Sequence, residues 1–573
     1  MLPSETIKLE VNVPIRMRDG IVLYADIYRP NSDGRYPAIL SRSPYGKSTY
    51  GKSGYMNPQP FARAGYAVVL QDCRGTGVSE GEYYPRRSDP GDGYDTVEWL
   101  AAQPWCNGAV GMYGLSYLGF TQWAAAVTQP PNLKAICPGA TSVDACGVPF
   151  FRGGVFLMRL IPWYMMQVAN ALNKSRLPDK ELAALRQLLN SLRNNLQEQY
   201  CFLPLKDLPA IRVAEALGMA SFYSDFFRHL NDTDFWSQMC NPAPLEKVIV
   251  PAFHICGWYD HHIGGVLASY KKLKESGGSE PAKRNQKLLI GPWIHSPEQP
   301  STAGELSFGY SSSGASINVG GGLIRWFDYW LKGTDNGFPG EPPVRIFVMG
   351  DNVWRDEQEW PLTRACYTKF FLHSNGRANS RLGGGVVTLG PPEEEQTDIF
   401  LYDPRNVPVE TTEEGAHDQR EVEERTDVLV YTSAPLEADL EVTGPIEMRL
   451  YASSSAVDTD FTGKLVDVWP DGRAYNLVDG IIRARYRESD SAPMFIEPGR
   501  VYEYRIDLNA TSNVFKAGHR IRVQISSSHF PICDRNPNTG HPIGQDAEMQ
   551  VAVQTIYHNR EHPTHLILPI VPR

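Results

Sequence analysis

Short apolar runs alternate with stretches of helical spacing through the first quarter of the chain. YPAILSR, GYAVVLQD and GAVGMYG each have the length of a buried strand, while DGYDTVEWLAA and YLGFTQWAAAVTQ place apolar residues three and four positions apart. Continuous apolar strands joined by helices predict a mostly parallel sheet covered on both faces. Residues 1–145 therefore read as the first part of an α/β core.

The pattern changes over residues 146–240. Leu182, Leu185, Leu188, Leu189, Leu192 and Leu196 recur at helical spacing, and aromatic residues cluster in FFRGGVFLMRLIPWYMM and SFYSDFF. A helical cap inserted into the core is expected. Strand and helix signals resume in LEKVIVPAFHICGWYD, GVLASYKKLKES and QKLLIGPWIH, which makes 241–354 the second part of the same core. Over 355–573 the pattern turns to short alternating strands divided by turn signals, as in LEVTGPIEMRLYASSS and HRIRVQISSSH. That pattern predicts a β-sandwich or jelly roll. The acidic tracts PPEEEQTD and TTEEGAHDQREVEERTD read as solvated loops.

Composition fits a large folded protein: 573 residues exceed a single core, and 42% hydrophobic residues with 50 glycines and 44 prolines describe turn-rich globular structure. The 65 acidic and 55 basic residues give a net charge of -10 without a basic block, so no nucleic-acid partner is expected. No apolar run reaches about 18 residues, and no membrane association is expected. The segment MLPSETIKLEVNVPIRMRDG lacks the arrangement of a secretion signal, and nine cysteines without paired spacing suggest reduced thiols. Both favour a cytoplasmic location.

GMYGLSYLGF carries the first candidate chemistry. Ser116 stands between Gly114 and Gly119, directly after an apolar run. A strand that turns sharply into a helix strains its turn residue and crowds the neighbours, which favours glycine there and points the serine outward. In the usual nucleophile elbow the second glycine follows the serine by two positions; here Leu118 occupies that place and Gly119 comes next. A plain Gly-Ser turn fits the same ten residues, so context has to decide.

A serine nucleophile needs a general base, and the base needs a group that fixes its tautomer. In α/β-hydrolases the acid and the histidine follow later strands in that order. Asp260 ends the run VIVPAFHICGWYD, and His295 follows KLLIGPW. Among the 13 histidines, His254 lies within an apolar strand and reads as a core residue, and His519 and His529 fall in the β-rich region. His261 and His262 adjoin Asp260, yet consecutive residues are not expected to converge on one ion, so no metal is expected. The loop RGTGVSEG misses dinucleotide-binding spacing and has no P-loop lysine after it, so no cofactor is expected.

The tetrahedral intermediate of acyl transfer needs donors aimed at its oxyanion. The backbone N–H of Tyr117 is one candidate. The hydroxyl of Tyr45, in the loop SPYGK after an early strand, is the second, with a tyrosine packed on the domain surface as the alternative.

Taken together, SPYGK, DCRGTGVSEGEY, WCNGAVGMYGLSYLG, CGWYD, GPWIHS, FVMGDNVWRDEQEWP and SSSAVDTDFTGKLVDVWPDGRA resemble the cocaine esterase and X-Pro dipeptidyl-peptidase family of serine hydrolases over nearly the whole chain. The displaced Gly119 is also a feature of that family. The resemblance implies an α/β-hydrolase core with a helical cap and a C-terminal jelly roll. It further implies Ser116 as nucleophile, His295 as base, Asp260 as its orienting acid, and Tyr45 and Tyr117 as the oxyanion hole. Phe150 keeps an aromatic at an acyl-pocket position of the family, and His262 replaces another aromatic there, which argues against a benzoyl pocket.

Three functions follow as expectations. One is a carboxylesterase acting on a small-molecule ester through an acyl-enzyme. Another is an amide or peptide hydrolase, such as an X-Pro dipeptidyl-peptidase, a β-lactam acylase or an amino-acid ester hydrolase. The third is a non-catalytic jelly-roll binding protein. Surface strands of the jelly roll could also support a homodimer.

Overall fold

A computed structural model of the chain describes residues 6–48, 56–141, 151–217, 222–230, 232, 234–236, 244–297 and 301–573. Among these, ten strands form one sheet: β1 (Ile7–Arg16), β2 (Val22–Pro30), β3 (Tyr36–Ser43), β4 (Ala67–Asp72), β5 (Cys106–Leu115), β6 (Leu133–Gly139), β7 (Phe253–Gly257), β8 (Lys287–Gly291), β9 (Val344–Val348) and β10 (Val353–Glu357). Their order is β1-β2-β4-β3-β5-β6-β7-β8-β9-β10, and β3 to β9 run parallel.

Alternation along the strands divides the core in two. Ala38, Leu40, Val110 and Met112 face one side with Val97, Leu100 and Trp123 from helices α2 (Asp89–Ala101) and α3 (Tyr117–Ala126). Ile39, Val68 and Tyr113 face the other, against Phe61 of α1 (Pro58–Arg63) and Trp326 and Phe327 of the helix Val319–Lys332. Successive residues of a strand point to opposite faces, so continuous apolar runs are what a sheet covered on both sides requires. Each fully buried aliphatic side chain contributes roughly 1.5–3 kcal/mol.

Helices α4 (Ile161–Lys174) and α5 (Asp179–Asn194), with three shorter ones up to Arg228, lie between β6 and β7 in sequence. The leucine stripe is only partly inward: Leu189 and Leu192 are buried, but Leu188 is 44% exposed. A second sheet of eleven strands between Cys366 and Val571, nearly all antiparallel, forms the jelly-roll β domain. Phe156, Tyr164, Tyr223 and Phe227 of the cap share one buried cluster with Ile482 and Phe530 of the β domain, so the two regions are packed as one.

The acidic tract 411–427 departs from expectation. Glu423 is buried rather than solvated and accepts hydrogen bonds from Arg522 and Gln524, and the Glu414 side chain is only 8% exposed. The described cysteines are free thiols, and no helix among the described residues is long and apolar enough to cross a membrane.

Candidate active site

Ser116 occupies the turn between β5 and α3 with φ 60° and ψ −123°, a conformation a non-glycine residue holds only where its surroundings enforce it. Its N–H donates to the Gly139 carbonyl at 2.9 Å. Gly114 has φ +145°, and a Cβ there would meet that of Leu118 at 2.5 Å. At Gly119 a Cβ would lie 2.4 Å from Thr141 Cγ2 and 2.8 Å from the Gly139 carbonyl oxygen. The close approach of helix to strand therefore falls at 119, while Leu118 is wholly buried in the core and supplies packing instead.

Asp260 and His295 come from neighbouring parallel strands. Gly257 of β7 pairs with Gly291 of β8, so three and four further residues bring both side chains to the same sheet end. The two loops are tied by Trp258 N–H to the Gly291 carbonyl at 2.9 Å and Tyr259 N–H to the Trp293 carbonyl at 3.0 Å. His295 Nδ1 lies 3.1 Å from Asp260 Oδ2, and Asp260 Oδ1 accepts the His262 backbone N–H at 2.8 Å. Burial alone would push the His295 imidazole down, but the charge and hydrogen bond of Asp260, with Glu414 behind them, raise it to about 8.

His261 and His262 fold back toward this pair. The rings of His261 and His295 are nearly parallel, with centroids 5.2 Å apart, and His262 lies 4.1 Å from His261 and 5.7 Å from His295. Burial first, and then the charges of His261 and His295, hold the His262 imidazole well below its usual range. The expectation that these consecutive histidines would not converge is corrected: Asp260, His261, His262 and His295 each bring one ligand atom within 4.8 Å of the others. His262 is the residue at which the helix Ile263–Ser276 begins, and the turn there lets both rings lie beside His295.

Glu414 is a site neighbour that the sequence did not reveal. Its Oε1 lies 2.6 Å from His261 Nδ1 and 2.9 Å from an Arg159 guanidinium nitrogen. Core, cap and β domain thus meet at one carboxylate. Burial would raise that carboxyl, but the charge and hydrogen bond of His261, with Arg159, draw it down to about 2. Its one sequence signal was its place in the acidic tract TTEEGAHDQREVEERTD, which read as a solvated loop.

The loop carrying Tyr45 is fixed from β4: Asp72 Oδ1 accepts the Lys47 N–H at 2.6 Å, and Ser43 Oγ accepts the Tyr45 N–H at 3.1 Å. Trp163 of the cap donates to the Tyr45 hydroxyl at 3.0 Å, a bond that uses an oxygen lone pair and not the hydroxyl hydrogen. Tyr45 and Tyr117 meet edge to face at 6.3 Å, and the Tyr117 hydroxyl bonds Asp89 and accepts the Arg86 N–H, each at 2.7 Å. The Tyr117 N–H lies in the first turn of α3, where backbone donors lack intrahelical acceptors.

A cavity of about 1570 Å³ opens among core, cap and β domain, lined in part by Trp258, Asp260, His261, Arg159 and Glu414. Phe150 lies outside the described residues, and His262 is buried beside the Asp260–His295 pair. His254 is a core residue: one ring nitrogen meets Gln286 at 2.8 Å, and burial lowers its imidazole to about 4.

The chain is similar to known proteins along its whole length. The chain matches the X-Pro dipeptidyl-peptidase (S15 family) over residues 19–297 and the X-Pro dipeptidyl-peptidase C-terminal non-catalytic domain over 336–567. It is 40% identical to a cocaine esterase of Rhodococcus sp. over 98% of each chain. It is 26% identical to a putative serine esterase of Mycobacterium bovis, over 97% of this chain and 94% of the relative. Among solved structures, an α-amino acid ester hydrolase superposes with a TM-score of 0.81 at 26% identity, covering 99% of this chain and 97% of the other. An aminopeptidase from a marine-sediment Thaumarchaeota archaeon gives 0.79 at 28%, covering 99% and 96%. With a serine elbow, an aspartate-histidine pair and likeness along its whole length, the chain belongs to the cocaine esterase and X-Pro dipeptidyl-peptidase family of α/β-hydrolases and is a serine hydrolase.

Proposed function

We propose that the protein cleaves carboxylic esters of small acyl groups through an acyl-enzyme on Ser116, with His295 as general base and acid and Asp260 orienting its ring. The observation that carries this reading is the 3.1 Å contact between His295 Nδ1 and Asp260 Oδ2, at the sheet end that also bears the strained Ser116 turn. With the Nδ1 proton directed at Asp260, Nε2 is the acceptor. It takes the Ser116 proton as Oγ attacks the ester carbonyl, then returns that proton to the departing alkoxide. Water repeats the sequence, giving up a proton to His295 and releasing the acid, while Ser116 recovers its own. The Tyr117 N–H and Tyr45 hydroxyl stabilise the oxyanion; a donor of this kind is typically worth about 3 kcal/mol. The family resemblance adds Phe150 and His262 to the acyl pocket. Free thiols among the described cysteines favour a reducing compartment such as the cytoplasm.

An amide or peptide hydrolase, as the aminopeptidase relative is named, would need anionic groups to hold a substrate ammonium. Three carboxylates that line the cavity are already matched with cations: Glu410 with Lys464, Glu414 with Arg159, and Asp479 with Arg152. This pairing favours the ester. The test is turnover of p-nitrophenyl esters from acetyl to benzoyl beside Ala-Pro p-nitroanilide, each with a Ser116→Ala control. Ester turnover that vanishes in the control supports the reading, and turnover of the anilide alone overturns it.

A further inference from the structure

The crowding around Asp260 exceeds what a hydrogen-bonded aspartate-histidine pair requires. Four residues, Asp260, His261, His262 and His295, bring one ligand atom each within 4.8 Å of one another. Asp260 Oδ2 lies 3.1 Å from His295 Nδ1 and Asp260 Oδ1 lies 3.6 Å from His261 Nδ1. These two separations, one to each carboxylate oxygen, lie near the edge of about 3.4 Å expected for a tetrahedron with bonds of about 2.1 Å to zinc, and the wider separations, up to 4.8 Å, have to close on binding. His262 is only 7% exposed, and its Nδ1 has no hydrogen-bond partner. A buried, unpaired nitrogen of this kind is destabilising, and a metal ion would give it a partner.

Three imidazoles and one carboxylate select by chemistry. Nitrogen-rich sets suit zinc, copper, nickel and cobalt, whereas magnesium and calcium prefer oxygen ligands. Of the two cations whose charge reaches His262, Arg86 and Arg159, the second is matched by Glu414 at 2.9 Å.

We propose that Asp260, His261, His262 and His295 form an inhibitory binding site for a divalent transition metal of the zinc class. Binding draws the rings together around the ion and engages His295 and Asp260 as ligands, so His295 no longer serves as base. The loss of activity rests on the role proposed for His295 in ester cleavage; the binding itself does not.

The test uses the full-length protein after chelator treatment. Titration with Co2+, followed by visible absorption, is expected to show the intense bands of a low-coordinate site at about one ion per chain. Zn2+, followed by calorimetry, is expected to displace it. Zn2+ also stops p-nitrophenyl acetate turnover, a chelator restores it, and Mg2+ has no effect. His261→Ala and His262→Ala should each weaken Zn2+ binding by at least about tenfold, with inhibition scored against each variant's own rate without metal. Ser116→Ala, which removes no ligand, should bind Zn2+ as the parent does. Absence of the Co2+ bands, or Zn2+ affinity unchanged in both histidine variants, overturns the proposed site. Binding that both variants weaken, but that leaves ester turnover intact, upholds the site and contradicts the role given to His295.

Discussion

Glu414 and His261 are joined across the boundary between the β domain and the α/β core by a 2.6 Å hydrogen bond, and His261 in turn lies nearly parallel to His295 with ring centroids 5.2 Å apart. The β domain thus contributes a side chain that sets the position of the imidazole beside the proposed general base.

Glu414→Ala should release His261 and let the His295 environment loosen. Because small misplacements at a reacting centre cost up to about a hundredfold, kcat should fall by about ten- to a hundredfold with a smaller change in KM. Glu414→Gln, which keeps an oxygen acceptor for His261, should recover part of the loss. Equal losses in both variants, carried by KM, would mean that Glu414 acts on substrate binding.

Tyr45→Phe removes the hydroxyl while the ring still packs on Tyr117. With about 3 kcal/mol at stake for an oxyanion donor, kcat should drop by about a hundredfold with KM nearly unchanged. Steady-state kinetics on one p-nitrophenyl ester settles it, and unchanged kcat would exclude the hydroxyl from the oxyanion hole.

The pH profile follows from His295. A general base must be neutral, so kcat/KM should rise as pH increases through about 8. Asp260→Asn removes the largest influence that raises the imidazole, so burial then dominates and the remaining activity should have a lower midpoint. The same proton has the opposite bearing on folding. A histidine raised in the native state stabilises it fully below the unfolded value of about 6.5, and that stabilisation is lost as pH rises through about 8. Activity therefore rises over the window in which this contribution fades. A profile flat from pH 6 to 9 in chelated buffer would contradict the assignment.

Gly119→Ala tests the elbow. The added methyl would lie 2.4 Å from Thr141 Cγ2 and 2.8 Å from a backbone carbonyl that cannot rotate away. Overpacking of this kind costs roughly 1–3 kcal/mol. A lower Tm together with loss of ester turnover is expected, and an unchanged Tm would show that strand and helix can separate there.

The parallel sheet was legible because its strands are continuous apolar runs, and Ser116 because the serine and its glycines are neighbours in sequence. Asp260 and His295 could be located because each follows an apolar strand. Glu414 could not: an acidic residue in an acidic loop reads as solvated, and only the tertiary meeting with His261 and Arg159 buries it. The convergence of His261 and His262 was hidden for a related reason. Adjacent side chains diverge in a strand, and it takes the turn opening the helix Ile263–Ser276 to place both rings beside His295. The leucines of α5 show the limit of periodicity, since Leu188 follows the helical spacing yet remains exposed.

The central claim is that Ser116 is the atom acylated, and the most direct measurement is mass spectrometry of the protein after treatment with an organophosphonate. One adduct per chain is predicted, on the peptide containing Ser116, absent from Ser116→Ala and strongly slowed in His295→Ala. An adduct that persists in Ser116→Ala would contradict the account.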